Sequence, residues 1–145
     1  MSVRSYSKVW LHIIWGTQNR EKSLTGKELR KKLSNYLHRY SKEKSIYMKI
    51  NYVNADHVHV LIDLPTDKTI AEVLQLLKGS SSYWVSKEVN YKFAWAKGYG
   101  VFSVSESIVD KVVKYIMNQE EHHRVRSFAE EYEDFIKKHK VLVNR

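Results

Sequence analysis

The chain has 145 residues, with 25 Lys or Arg against 16 Asp or Glu and a formal net charge of +9. It contains no cysteine, which excludes disulfide bonds, thiolate zinc sites and a cysteine nucleophile. A chain of this length can bury roughly 68–70% of its unfolded surface in one domain. We therefore expect a single domain over residues 1–145. Its basic charge favours a polyanionic partner, with nucleic acid as the first candidate.

The apolar runs are far shorter than the roughly 20 residues that a membrane span needs. The N-terminal residues also lack the charged region and small-residue cleavage site of a secretory signal. We therefore expect a cytoplasmic protein without a membrane partner.

The first part of the chain alternates between strand and helix patterns. Residues 7–17 place apolar side chains on both faces of a strand. Thr25 and Glu28 match a capping box, which predicts that an amphipathic helix begins there. Two further strands are predicted over residues 46–53 and 57–64, joined as a hairpin by a short turn.

A second helix follows the hairpin. Thr69 and Glu72 match another capping box, and apolar residues then recur at helical spacing. Gly79 is a possible end of this helix, because glycine is common just after a helix. Alternatively, the helix continues through the serines to about Lys87.

The last part of the chain adds a strand pair and two helices. The pair is predicted over residues 93–96 and 99–105, with a turn at residues 97–98. Ser107 is expected to start the next helix, and an amphipathic helix follows around residues 128–136. The order βαββαβ predicts an α+β fold with an antiparallel sheet and helices on one face. This is the ferredoxin-like arrangement that RNA-recognition domains share.

The strand over residues 57–64 carries two histidines on one face. Its apolar residues point toward the helices, so His57 and His59 are expected on the face that the helices leave open. Two imidazoles at this spacing can share one metal ion, and Asp56 is placed to support them. Taken alone, such a pair is more often two solvated side chains.

The helix from Ser107 carries a candidate nucleophile. Tyr115 and Gln119 are four residues apart, so they lie on one side of that helix. The phenol can act as a nucleophile, and the amide oxygen can complete a His-His-Gln ligand set. Imidazole accommodates several transition metals, whereas oxygen ligands favour Mg²⁺ or Mn²⁺. Without the histidines, a packing tyrosine and a surface glutamine would be the preferred interpretation.

These motifs resemble a known family of enzymes. Residues 56–62, DHVHVLI, resemble the His-hydrophobe-His signature of the HUH endonucleases. Residues 115–123, YIMNQEEHH, resemble the tyrosine motif of the single-tyrosine transposases of bacterial insertion sequences. Residues 12–20 and 98–105 also agree with that family. Together the four blocks span about residues 8 to 123, in the family's order.

The resemblance implies a bacterial or archaeal DNA transposase that cleaves and rejoins single-stranded DNA at hairpin-bearing element ends. It implies that Tyr115 is the nucleophile and forms a 5′-phosphotyrosine intermediate. His57 and His59 would be ligands of a divalent metal, Mg²⁺ or Mn²⁺, and Gln119 the third ligand. His122 and His123 also match the motif, but we assign them no chemistry. The family includes self-mobile enzymes and transposases associated with repetitive palindromes.

The resemblance also implies a partner chain. Similar transposases pair their sheets edge to edge, and the strand over residues 99–105 is a candidate edge. The expected working unit is therefore a homodimer with composite active sites, whereas palindrome-associated relatives can act as monomers.

The sequence identifies no specific DNA-reading residue. Arg20, Lys78 and Lys97 lie near loops and are candidates for phosphate contacts. Residues 30–32 are a basic run on the first predicted helix, which is usually a solvated face. One alternative function is a non-catalytic nucleic-acid-binding module of ferredoxin-like fold. Another is a metal-dependent hydrolase that activates water and does not need Tyr115.

Overall fold

Four antiparallel strands form the centre of the computed structural model, which describes residues 5–120 and 126–139. The strands are β1 (Trp10–Gly16), β2 (Tyr47–Val53), β3 (His57–Asp63) and β4 (Gly100–Val104). Their order in the sheet is β2-β3-β1-β4, so the two central strands are β1 and β3. The predicted α+β, ferredoxin-like arrangement is confirmed, and β4 is an edge strand as expected.

Four of the helices in the described part of the chain pack on this sheet. They are α1 (Lys27–Glu43), α2 (Ile70–Val89), α3 (Val109–Met117) and α4 (Phe128–Lys138). Within residues 5–120 and 126–139, every helix is too short or too polar to span a bilayer.

The larger core lies between the sheet and helices α1 and α2. Alternate residues of the central strands supply the sheet side of this core, because successive side chains of a strand point to opposite faces. The main members, all buried, are Leu11, Ile13, Trp15, Val58, Val60, Ile62, Leu33, Leu37, Val73, Leu74 and Leu77.

The opposite face of the sheet is also covered, which corrects the prediction that the helices leave it open. Leu61 and Trp10 pack against α3, and Ile14 and Phe102 pack against Phe128 of α4. The face needs this cover because it too carries large apolar side chains, whose burial is favourable. His57 and His59 point to this face, as predicted, but they are fully buried.

The capping box predicted at the start of α1 is wrong. The helix begins one residue later than predicted, and Gly26, with a φ of +86°, is its N-cap without a side-chain hydrogen bond. The third helical position therefore falls on Leu29, which cannot close a capping box. The box of Thr69 and Glu72 is present at the start of α2.

Helix α2 takes the longer of the two alternatives. It continues past Gly79 to Val89, and Asn90 ends it in the left-handed conformation. Helix α3 follows a 3₁₀ turn over Glu106–Ile108, so its N-cap is Ile108 and not the predicted Ser107.

The predicted strand pair over residues 93–96 and 99–105 is wrong. Trp95 forms a bridge with Thr17, beyond the end of β1, while β4 pairs with β1 itself. Both segments therefore lie along the same edge of β1, and residues 97–99 interrupt one extended run. Lys78 holds this interruption, since its ammonium donates to the carbonyl oxygens of Ala96, Lys97 and Gly98 at 2.8, 3.1 and 3.3 Å.

The contrast between the two capping sites gives a stability test. We expect Thr69→Ala to reduce the free energy of unfolding by about 1 kcal/mol, because the hydroxyl that accepts from the Glu72 amide is lost. In a domain of this size the melting temperature falls by about 2–4 °C. Thr25→Ala is the matched control and should change it little, because Thr25 is not the N-cap. Equal losses in thermal denaturation would contradict this assignment.

Candidate active site

Strand pairing fixes the positions of the two histidines. His57 lies opposite Gly16 of β1, and His59 lies opposite Ile14. The ring of Phe128 stacks on His57, with ring centroids 4.0 Å apart and planes inclined by 4°. A side chain at Gly16 would place its Cβ 2.8 Å from this phenyl ring, so only glycine leaves room for the stack.

Each histidine is held through its Nδ1 atom. Nδ1 of His57 lies 2.7 Å from Oδ1 of Asp56, and Nδ1 of His59 lies 2.7 Å from Nε2 of the buried His12. Partners of this kind orient the ring of a metal-binding histidine and set its tautomer. With the Nδ1 atoms held in this way, the Nε2 atoms of both rings point toward a single place between them.

That place is occupied by the carboxylate of Glu131, a residue that the sequence analysis missed. Its Oε1 atom lies 3.3 Å from Nε2 of His57 and 3.1 Å from Nε2 of His59. The ligand atoms of these three buried residues all lie within 4.8 Å of one another. In sequence, Glu131 lies on the inward stripe of α4, three residues after Phe128 and four before Phe135. An acidic residue among aromatic residues on the apolar stripe of a helix was the sequence signal that could have identified Glu131.

Tyr115 of α3 and Gln119, two residues beyond the end of that helix, contact the same carboxylate. The Tyr115 hydroxyl donates to Oε2 of Glu131, and Nε2 of Gln119 donates to the same oxygen at 3.2 Å. Oε1 of Gln119 accepts from Nδ2 of Asn54 at 3.3 Å. The four residues predicted from the sequence are thus brought together in one chain, around Glu131.

The charges of the site depend on one another. Burial alone would raise the pKa of Glu131, but hydrogen bonds from His57 and His59 outweigh it and lower this pKa to about 2. Burial would lower the pKa of His57, but its bonds to Asp56 and Glu131 raise it above the usual value. His12 differs: burial, together with the nearby His59, lowers its pKa and keeps its ring neutral.

A cavity of about 280 Å³ opens onto the Tyr115 side of the site. Its lining includes Tyr115, Glu131 and His12, together with the cationic Lys111 and Lys138. A phosphate group in this cavity would lie beside the candidate nucleophile.

The three loop cations predicted for DNA contacts do not meet at this cavity. Arg20 lies with its guanidinium carbon 5.9 Å from the Phe128 ring centroid, and Lys97 is exposed. The Lys78 ammonium binds backbone carbonyls, as described above. His122 and His123 lie outside the described residues.

The depressed pKa of Glu131 predicts a pH-dependent stability of the metal-free protein. Because its folded-state pKa of about 2 lies below the ordinary 4.5, the carboxylate stabilises the fold above pH 4.5, by about 3 kcal/mol. This contribution is lost as the pH falls from 4.5 toward 2. We expect the difference in melting temperature between wild type and Glu131→Gln, measured in EDTA, to shrink between about pH 5 and pH 3. A difference independent of pH in this range would contradict the assignment.

Comparison with known proteins matches most of this chain to one family. Residues 5–119 match the family model described as IS200-like transposase. The IS200 transposase of Salmonella typhimurium strain LT2 is 25% identical over 115 residues, which cover 74% of each chain. The ISDra2 transposase of Deinococcus radiodurans is 26% identical over 74% of this chain and 81% of its own length.

Solved structures agree with the sequence comparison. A transposase from Deinococcus radiodurans R1 superposes with a TM-score of 0.63 at 25% identity, over 82% of this chain and 97% of its own. A REP-associated tyrosine transposase bound to a REP hairpin superposes with a TM-score of 0.60 at 16% identity, over 85% of this chain and 74% of its own. Since the family model matches most of its length, the chain belongs to the IS200-like transposase family.

Proposed function

We propose that this transposase cleaves and rejoins single-stranded DNA, with Tyr115 as the nucleophile and a divalent metal ion held by His57 and His59. One observation carries the proposal. The Tyr115 hydroxyl of α3 and the Nε2 atoms of both β3 histidines converge on the single carboxylate of Glu131, which α4 of the same chain carries.

The donor set fits a divalent metal ion. Two imidazole nitrogens and a carboxylate oxygen are grouped there. The amide nitrogen of Gln119 faces this carboxylate, while its amide oxygen accepts from Asn54. Oxygen ligands favour Mg²⁺ or Mn²⁺, and imidazole accommodates several transition metals. In the proposal Glu131 joins the two histidines as a ligand, and Gln119 keeps the ligand role predicted from its motif. When bound, such an ion would polarise the scissile phosphate and neutralise the charge that builds on it.

The proposed chemical step begins with Tyr115. Its phenolic oxygen attacks the phosphorus and forms a new ester, while the bond from phosphorus to the 3′ oxygen breaks. The phenolic proton is lost, and the leaving oxygen takes up a proton to become a free 3′-hydroxyl. Because the phosphotyrosine keeps the energy of the broken bond, a 3′-hydroxyl can later attack it and rejoin a strand without ATP.

Glu131 orients the nucleophile by accepting the hydrogen bond of its hydroxyl. A free phenol with a pKa near 10 is ionised in only about one molecule in a thousand at pH 7. Positioning of the phenol and stabilisation of the charge on the phosphate must therefore supply most of the rate enhancement. Since His57, His59 and Gln119 are fully buried, a phosphate reaches them only after α4 or the Glu131 side chain shifts.

The proposed substrate is DNA whose single strands carry hairpins. The net charge of +9 supports binding to a polyanion. One structural relative is a tyrosine transposase bound to a REP hairpin, which supports a hairpin as part of the substrate.

We predict that Tyr115→Phe abolishes cleavage and covalent adduct formation while DNA binding remains nearly unchanged. Only the phenolic oxygen is removed, so the ring still packs. The measurement is a denaturing gel after incubation with hairpin-bearing single-stranded DNA and Mn²⁺. Tyr83→Phe, which alters an exposed tyrosine of α2, is the control and should keep full activity. A covalent complex with Tyr115→Phe would show that another residue is the nucleophile.

We also predict that the metal site depends on both histidines. His57→Ala and His59→Ala should abolish activity and Mn²⁺ binding measured by calorimetry, because each removes an imidazole ligand. Gln119→Ala should have a milder effect, because water can replace an amide oxygen in a site for hard cations. His38→Ala, a surface change on α1, should bind Mn²⁺ like wild type. Full activity in excess EDTA would refute the metal requirement.

The homodimer with composite sites stays a prediction. An edge strand such as β4 has unpaired backbone groups that a second copy can pair with. Within one chain, however, the Tyr115 ring already lies 6.0 Å from the His59 ring, centroid to centroid.

Mixing the inactive variants Tyr115→Phe and His57→Ala separates the two arrangements. If sites are shared between chains, a mixed dimer has one intact site and activity partly returns. If each chain completes its own site, exchange of subunits restores nothing.

A further inference from the structure

A second cleft, here called the α1 cleft, lies between the start of α1 and the turn that joins β2 to β3. It has a volume of about 510 Å³ and shares no lining residue with the cavity beside Tyr115. Three cationic side chains, one carboxylate and one aromatic ring are among the groups that line it. They belong to Lys27, Arg30 and Lys31, to Glu120, and to Tyr52, respectively. We propose that the α1 cleft binds the single-stranded DNA segment next to the scissile phosphate, with one base stacked on Tyr52.

The α1 cleft ends at the candidate metal ligands. Asn54 lines the cleft, and its Nδ2 atom lies 3.2 Å from Nε2 of His57 and 3.3 Å from Oε1 of Gln119. A single side chain therefore separates the cleft from the place where the strand would be cut. A strand held in the cleft would have its next phosphate directed toward His57.

Tyr52 is placed to receive a base. It lies opposite His59 in the β2–β3 pair, so both side chains stand on the same face of the sheet. One part of its ring packs against the cluster that contains Leu61 and Ile116, and the side chain is only half-buried. Bases stack on aromatic rings with little regard to sequence, which suits contact with an unpaired base.

The charge of the cleft suits the backbone of the same strand. Lys27 and Lys31 are exposed and lie one helical turn apart on α1, so both ammonium groups can contact successive phosphates. Glu120 offsets only one of the three cations. Each phosphate neutralised on a single strand contributes about 0.7 to the slope of log affinity against log salt.

This proposal rests on the proposed function, and a charge-matched pair of variants tests it. Lys27→Gln with Lys31→Gln alters the cleft, whereas Lys32→Gln with Lys42→Gln removes the same charge from exposed positions of α1 outside it. Binding of the full chain to a labelled, mixed-sequence single-stranded oligonucleotide is measured in EDTA at several salt concentrations. We expect the cleft variant to bind several-fold more weakly and its salt slope to fall by about 1.4, with little change in the control.

Tyr52 is tested separately. Tyr52→Leu keeps an apolar side chain but removes the stacking surface, so affinity should fall roughly 5- to 150-fold, equivalent to about 1–3 kcal/mol per stacked base. Tyr83→Leu, at an exposed tyrosine outside the cleft, should have little effect. Photo-crosslinking of wild type to a 5-iodouracil oligonucleotide should give an adduct at Tyr52, a result that does not depend on how the variants fold.

The outcomes distinguish this proposal from the proposed function. Covalent adduct formation by wild type, with equal losses in both double variants and no crosslink at Tyr52, would overturn the cleft and leave the proposed function standing. A crosslink at Tyr52 without any Tyr115 adduct in Mn²⁺ would support the cleft as a DNA site and overturn the proposed chemistry.

Discussion

The buried carboxylate of Glu131 is the interaction on which the site depends. A buried charge is costly unless it is paired and hydrogen-bonded. Here two imidazoles from β3, the Tyr115 phenol from α3 and the Gln119 amide just beyond α3 are its partners. The need to satisfy one carboxylate therefore fixes α4 against the sheet and holds the candidate nucleophile beside the candidate metal ligands.

The sheet makes this convergence possible because one of its faces carries the main apolar core and the other carries the histidines. Alternation along β3 gives one face to the core under α1 and α2, and the other to His57, His59 and Leu61. A shift of one residue in register would exchange the two sets. The large apolar core on the first face therefore fixes where the histidines stand on the second.

Closure of the second face links stability to chemistry. Phe128 stacks on His57, and α4 excludes water from both imidazoles. Exclusion of water strengthens electrostatic interactions around a reacting phosphate. Because of this closure, substrate binding has to rearrange the contacts around Glu131. Two clefts flank the site: Asn54 lines the one beside α1, and Tyr115 lines the other.

The amino-acid sequence by itself determined where the four sheet strands lie along the chain, the face on which the histidines lie, and the motif that joins Tyr115 to Gln119. These features depend on local periodicity and on short spacings, which the chain carries in any context. The second capping box was predictable for the same reason, whereas the box at Thr25 failed because a shift of one residue changes the cap.

Only the tertiary structure decided the rest. Glu131 is 72 residues from His59 in sequence, and no local pattern states that an acidic residue on α4 meets two histidines on β3. The extended run over residues 93–104 is likewise set by the edge of β1, not by its own turn signal at residues 97–98. The physical reason is that burial and hydrogen bonding are satisfied between distant segments, which only packing of the complete chain brings together.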